Sequence, residues 1–66
     1  MITELGIVAG EIWHFLDEKG SCSLSSLVAG LDKSRDTILM SVGWLAREGH
    51  VTLVQEGQGY KIDLRK

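Results

Sequence analysis

Few side chains in this sequence carry reactive chemistry, and they are scattered. Cys22 is the single cysteine, and His14 and His50 are the two histidines. A nucleophilic thiol needs a neighbouring base and a lowered pKa. No spacing brings either histidine to Cys22, which reads as a small buried hydrophobe. Metal ligands recur at short, fixed intervals, and these three residues do not. Asp17 and Glu18 are acidic neighbours, but adjacent side chains on a helix diverge. They read as a solvated face, not a general acid–base pair. Gly57-Gln58-Gly59 is glycine-rich, yet no helix follows to put a dipole behind a phosphate. A β-hairpin turn accounts for it. The expectation is therefore binding rather than catalysis, with no catalytic residue, cofactor, metal or small-molecule substrate. A chain of this size also has little room for a pocket of ~300 Å³.

The elements that position these residues come from a short chain. Its 66 residues make one domain, residues 1–66. Such a domain buries only about 60% of the surface of its unfolded chain. Its core rarely supplies more than ~3–5 kcal/mol without a staple. One cysteine allows no internal disulfide and points to a reducing, cytoplasmic setting. Self-association is the staple left open, and a homodimer is expected. No targeting segment and no apolar run of membrane-spanning length is read. Net charge is −2, against the basic excess of most nucleic-acid binders.

Periodicity orders the chain. Ile2, Leu5, Val8, Ala9, Ile12, Phe15 and Leu16 recur at helical spacing, so residues 2–19 read as a helix, broadened on its apolar face by Trp13. Thr3 is its expected cap, and Lys19-Gly20 its stop. Gly6 and Gly10 weaken it or let another element approach. Residues 21–24 read as a brief edge strand. Ser25 is the expected cap of a second helix with Leu27, Val28 and Leu31 inward, ending at Gly30. Ser34 caps a third helix running to about Glu48, with Ile38, Val42, Leu45 and Ala46 inward. Arg47 and Gly49 repeat the stop. Val51, Leu53 and Val54 then form a strand, Glu56–Gly59 a turn, and Tyr60, Ile62 and Leu64 alternate along a second strand.

This order resembles a winged helix-turn-helix domain: an α+β fold of three helices with a small antiparallel β-wing, in the order helix, strand, helix, helix, strand, strand. Residues 27–38 resemble a helix-turn-recognition helix. The stretch Leu45-Ala46-Arg47-Glu48-Gly49-His50-Val51 is similar to the junction leading into a wing. Ile12-Trp13 and Gly43–Glu48 together resemble a family of small stand-alone winged helix domains of uncharacterised function from bacteria and archaea.

The resemblance implies double-stranded DNA as a partner. The third helix would enter the major groove by its N-terminal exposed residues. Lys33, Ser34, Arg35, Thr37 and Ser41 are the expected contacts there, with Asp36 and Met40 among the same exposed positions. Gln58, Tyr60 and Lys61 would contact DNA from the wing. Arg35 suits a guanine or a phosphate. The charge balance opposes this. From Asp32 to Lys61, four acids (Asp32, Asp36, Glu48, Glu56) meet four bases (Lys33, Arg35, Arg47, Lys61). DNA affinity rests largely on phosphate neutralisation.

The third helix also carries Leu39, Met40, Gly43 and Trp44. These cannot all be core while Ile38, Val42 and Leu45 are, because together they ring the helix. They mark a second candidate, a protein interface centred on Trp44 and supported by Trp13 or Tyr60, with Gly43 allowing close approach. Alternatively, Trp44 packs back onto the wing strands. The fold puts first a homodimeric DNA-binding, transcription-regulator-like domain; the alternative is a protein-interaction module that keeps the fold without binding DNA.

Overall fold

A computed structural model describes the backbone of residues 2–65 and the side chains of residues 3–65. The side chain of Ile2, expected on the apolar face of the first helix, lies outside the described residues. The elements are α1 (Ile2–Lys19), β1 (Cys22–Ser23), α2 (Leu24–Gly30), α3 (Arg35–Arg47), β2 (Val51–Glu56) and β3 (Gly59–Leu64). The strands form one antiparallel sheet in the order β1-β3-β2. This is the expected α+β layout.

The helix ends follow from local chemistry. Ser34 caps α3 by accepting the Thr37 N–H at 3.2 Å. At the other end Gly49 has φ +79, a left-handed backbone that favours glycine. The Gly49 N–H then donates to the Ala46 carbonyl, and the His50 N–H to Leu45, which satisfies the last carbonyls of the helix. Gly20, with φ +83, ends α1 and donates to Leu16.

Two caps differ from expectation. Ser23, not Ser25, caps α2, accepting the Ser26 N–H at 3.1 Å. Leu24 is buried and joins the first turn, which shortens β1 to two residues and moves the cap upstream. Helix α1 already includes Ile2, so Thr3 lies inside its first turn. The turn between β2 and β3 is Gly57-Gln58, with Gly57 at φ +60 and Gln58 not at positive φ. Glycine at the first central position matches a type II′ hairpin turn, whose twist suits paired strands.

The core is one cluster. Val8, Ala9, Ile12 and Leu16 of α1 meet Leu24 and Leu27 of α2, Ile38, Val42 and Leu45 of α3, Val51 of β2 and Ile62 of β3. Phe15, Val28 and Leu31 pack partly buried against it. The expected role of Trp13 in that face is corrected: it stays 38% exposed.

Close packing distinguishes the glycines. A Cβ at Gly30 would lie 2.6 Å from Cε2 of Phe15, whereas one at Gly10 would meet nothing within 4 Å. Gly30→Ala must push the Phe15 ring outward, and unfolding in urea should show a loss of about 1–2 kcal/mol. Gly10→Ala should instead gain about 1 kcal/mol through helix propensity alone. Ser34→Ala should cost about 1 kcal/mol by the same measurement, since it strips the α3 cap.

Candidate functional site

The start of α3 brings together most of the residues expected to meet DNA. Lys33, Ser34 and Arg35 are exposed and Thr37 is half-buried. Their polar groups are already engaged in part. The Ser34 hydroxyl donates to Oγ1 of Thr37 at 2.8 Å while accepting the Thr37 N–H. Lys33 Nζ lies 3.9 Å from Oε1 of Glu11 on α1. Both of those side chains stay well exposed, so the pair contributes little, but it sets an acid beside one of the cations. Gln58 and Lys61 are exposed on the wing, at its turn and on β3.

Ser41 is a correction. It was expected among the exposed contacts, yet it is fully buried. Its hydroxyl donates to the Leu5 carbonyl of α1 at 3.4 Å. Residues 38, 41, 42 and 45 follow the three- and four-residue steps of one helix face, so Ser41 belongs to the buried stripe. It ties α3 to α1 and is not available to a nucleic acid.

Between its first turn and the exposed Arg47, the outward surface of α3 is apolar. Leu39 is 48% exposed and Met40 44%. Nothing lies within 4 Å of where a Gly43 Cβ would be. Trp44 does not pack onto the wing strands. Its ring lies 3.5 Å from where a Cβ at Gly6 would sit, so it rests on α1 with more than a third of its surface still exposed.

Two open grooves flank α3. One, of about 340 Å³, lies against α1 between Trp13 and Trp44, with Gly6, Ala9 and Gly10 along it and Glu48 and His50 also lining it. The other, of about 320 Å³, lies between α3 and the wing. Leu39, Gly43, Leu53 and Tyr60 line it above buried Leu24, Val42 and Ile62. The expectation that so small a chain lacks room for concave features of this size is thus corrected.

The wing carries a further signal that the reading of residues passed over. Leu53 and Val54 are adjacent on a strand, so they point to opposite faces, and both are exposed. Two apolar neighbours on a strand cannot both enter one core, and that was visible in the sequence.

The reactive residues stay apart. Cys22 is half-buried on β1 opposite Ile62, and burial pushes its thiol pKa up, away from the reactive thiolate. His14 is exposed and meets the Trp13 ring edge-on at 5.6 Å. Among the described residues no three of His, Cys, Asp and Glu come together as a metal site. Nor, among them, is any helix long and apolar enough to cross a membrane.

Comparison with known proteins agrees with this geometry. Residues 2–64 match the family described as "Winged helix-turn-helix domain (DUF2582)". The chain is also 34% identical over 65 residues to "Uncharacterized protein MJ1608" of Methanocaldococcus jannaschii, covering 94% of this chain and 91% of that protein. No solved structure matches it. Three helices, a three-stranded antiparallel sheet and a match over nearly the whole length place the chain in the winged helix-turn-helix domain family DUF2582.

Proposed function

We propose that this protein acts by binding rather than by catalysis, as a self-associating interaction module whose α3–wing face meets protein instead of DNA. One observation carries this reading. Much of the surface that a winged helix would lay against a duplex is apolar here: Leu39, Leu53 and Tyr60 are each more than 40% exposed around a single groove. Burying such side chains against a second apolar surface yields roughly 25 cal/mol per Å². Laying them against hydrated phosphates gains nothing comparable.

The electrostatics support the same choice. The sequence is acidic overall, with net charge −2. Salt-dependent counterion release dominates non-specific DNA binding, and the start of α3 supplies only Arg35 and a Lys33 that sits beside Glu11. Self-association also answers the stability problem of so small a core. A homodimer is the proposed state.

A second reading is favoured by the exposure of Arg35 in the first turn of α3 and of Lys61 on the wing. In it, a homodimeric, regulator-like domain binds double-stranded DNA through Lys33, Arg35 and Thr37, with Gln58 and Lys61 on the flank.

Sedimentation equilibrium at about 100 µM protein should find a dimer, with the balance moving to monomer on dilution. Leu39→Lys should weaken that association by about tenfold or more, because a charge enters the groove. Arg35→Ala should leave it unchanged. A monomer at every concentration would overturn the self-association. Separately, an amide NMR titration with duplex DNA at low salt should leave Lys33–Thr37 and Gln58–Lys61 in place. Shifts there that fade with salt and vanish in Arg35→Ala would establish the DNA reading.

A further inference from the structure

The sheet order leaves β2 on an open edge. Native proteins guard such edges with lysine, proline, bulges or very short strands. The opposite edge strand, β1, has only two residues. Strand β2 has six and none of these guards: Val51-Thr52-Leu53-Val54-Gln55 contains no charge and no proline. Its register with β3 runs unbroken from Val51↔Leu64 to Glu56↔Gly59.

The direction of the free backbone groups follows from the ladder. The Arg65 N–H donates to the His50 carbonyl at 2.9 Å, which extends the same register by one pair. Hydrogen-bonded pairs alternate along an antiparallel ladder. So Thr52, Val54 and Glu56 turn their backbone groups toward β3, as His50 does its carbonyl. Val51, Leu53 and Gln55 turn theirs outward, off the sheet.

Resting on the self-association proposed for this chain, the geometry points to β2 pairing antiparallel with β2 of a second copy, with the two-fold axis at Leu53. Three outward residues at even spacing are self-complementary about their middle member. Leu53 then exchanges two hydrogen bonds with Leu53 of the second copy, and Val51 pairs with Gln55 at both ends. Every outward N–H and C=O of the three residues is satisfied, with none left over. The same register sets Glu56 opposite His50 of the second copy, an acid facing a base.

Side-chain parity agrees. Leu53 shares the inner face of the sheet with Tyr60 and Ile62, its groove neighbours. A two-fold axis perpendicular to the sheet keeps the inner faces on one side, so the two α3–wing grooves meet over the axis. Thr52 of one copy then lies beside Val54 of the other on the outer face. The joined sheet has six strands, β1-β3-β2 followed by its symmetric repeat. A standard interface covers roughly 800 Å² per subunit. That is under a fifth of the 4446 Å² surface of this chain.

Amide hydrogen exchange on the full chain reads this directly. At a concentration where the protein is dimeric, Val51, Leu53 and Gln55 should be protected along with Thr52, Val54 and Glu56. Dilution to monomer should release the first three and leave the second three slow. Gln55→Pro offers a second test, because it removes an outward donor without touching the ladder to β3. It should weaken dimerisation by about tenfold or more while the Val54 amide stays protected. A dimer in which Val51, Leu53 and Gln55 exchange freely would overturn the strand pairing and leave self-association standing. A monomer throughout would overturn both. If Gln55→Pro does not fold, the exchange pattern of the unaltered chain still decides.

Discussion

Ile12, Leu27, Ile38 and Ile62 are fully buried in a single cluster, and they come one each from α1, α2, α3 and β3. This convergence is the constraint on which the molecule depends. Truncating a buried Leu or Ile to Ala typically costs ~2–5 kcal/mol. The whole net stability expected of so small a core is ~3–5 kcal/mol. Each element is therefore held by a contact comparable with everything the fold has to spare. Strand β2 adds to this cluster only through Val51, at its first residue. The rest of the strand is held by its ladder to β3, not by burial.

That economy explains where the apolar surface goes. Helix α3 is the crossing point, since it packs on α1, α2 and β2. Its buried stripe of Ile38, Ser41, Val42 and Leu45 uses up the width those neighbours can cover. Leu39 and Gly43 are left facing the wing groove. Trp44 is partly covered, its ring resting on α1 at Gly6. The buried Ser41 hydroxyl, donating to the Leu5 carbonyl, fixes the same helix pair.

The element order was legible in the sequence because helical spacing, capping serines and stop glycines agreed with one another. Lys19-Gly20 and Arg47 to Gly49 mark the ends of α1 and α3 correctly. Less legible were features that depend on contacts between distant residues. Ser41 looks like a surface hydroxyl by type, and only its place in the 38-41-42-45 stripe betrays burial. The seat of Trp44 needed the pairing of Gly6 with residue 44, which no local rule supplies. The open edge at β2 depended on β1 choosing β3, a pairing of Cys22 with Ile62 across forty positions of chain. Even so, Leu53-Val54 carried a local sign that one apolar side chain must face away from the core.

The polar start and the apolar stretch of α3 pull toward different partners, and the proposed self-association rests on weighing them. The Ser34 hydroxyl is spent on the cap and on Thr37, whose Oγ1 accepts from it and keeps its own O–H to donate. Lys33 has Glu11 close by. On α3 and the wing, what is left to attract a phosphate is Arg35, Arg47 and the distant Lys61, each worth little in water at physiological salt. Against that stand Leu39, Leu53 and Tyr60 around one groove, beside a strand edge with three residues of unmatched backbone. Hydrogen bonds left unmade in a buried interface are costly, which is why the proposal takes a partner that brings both an apolar surface and a strand edge. A DNA duplex brings neither an apolar face nor a strand. A second copy of this chain brings the same groove and the same edge in complementary order.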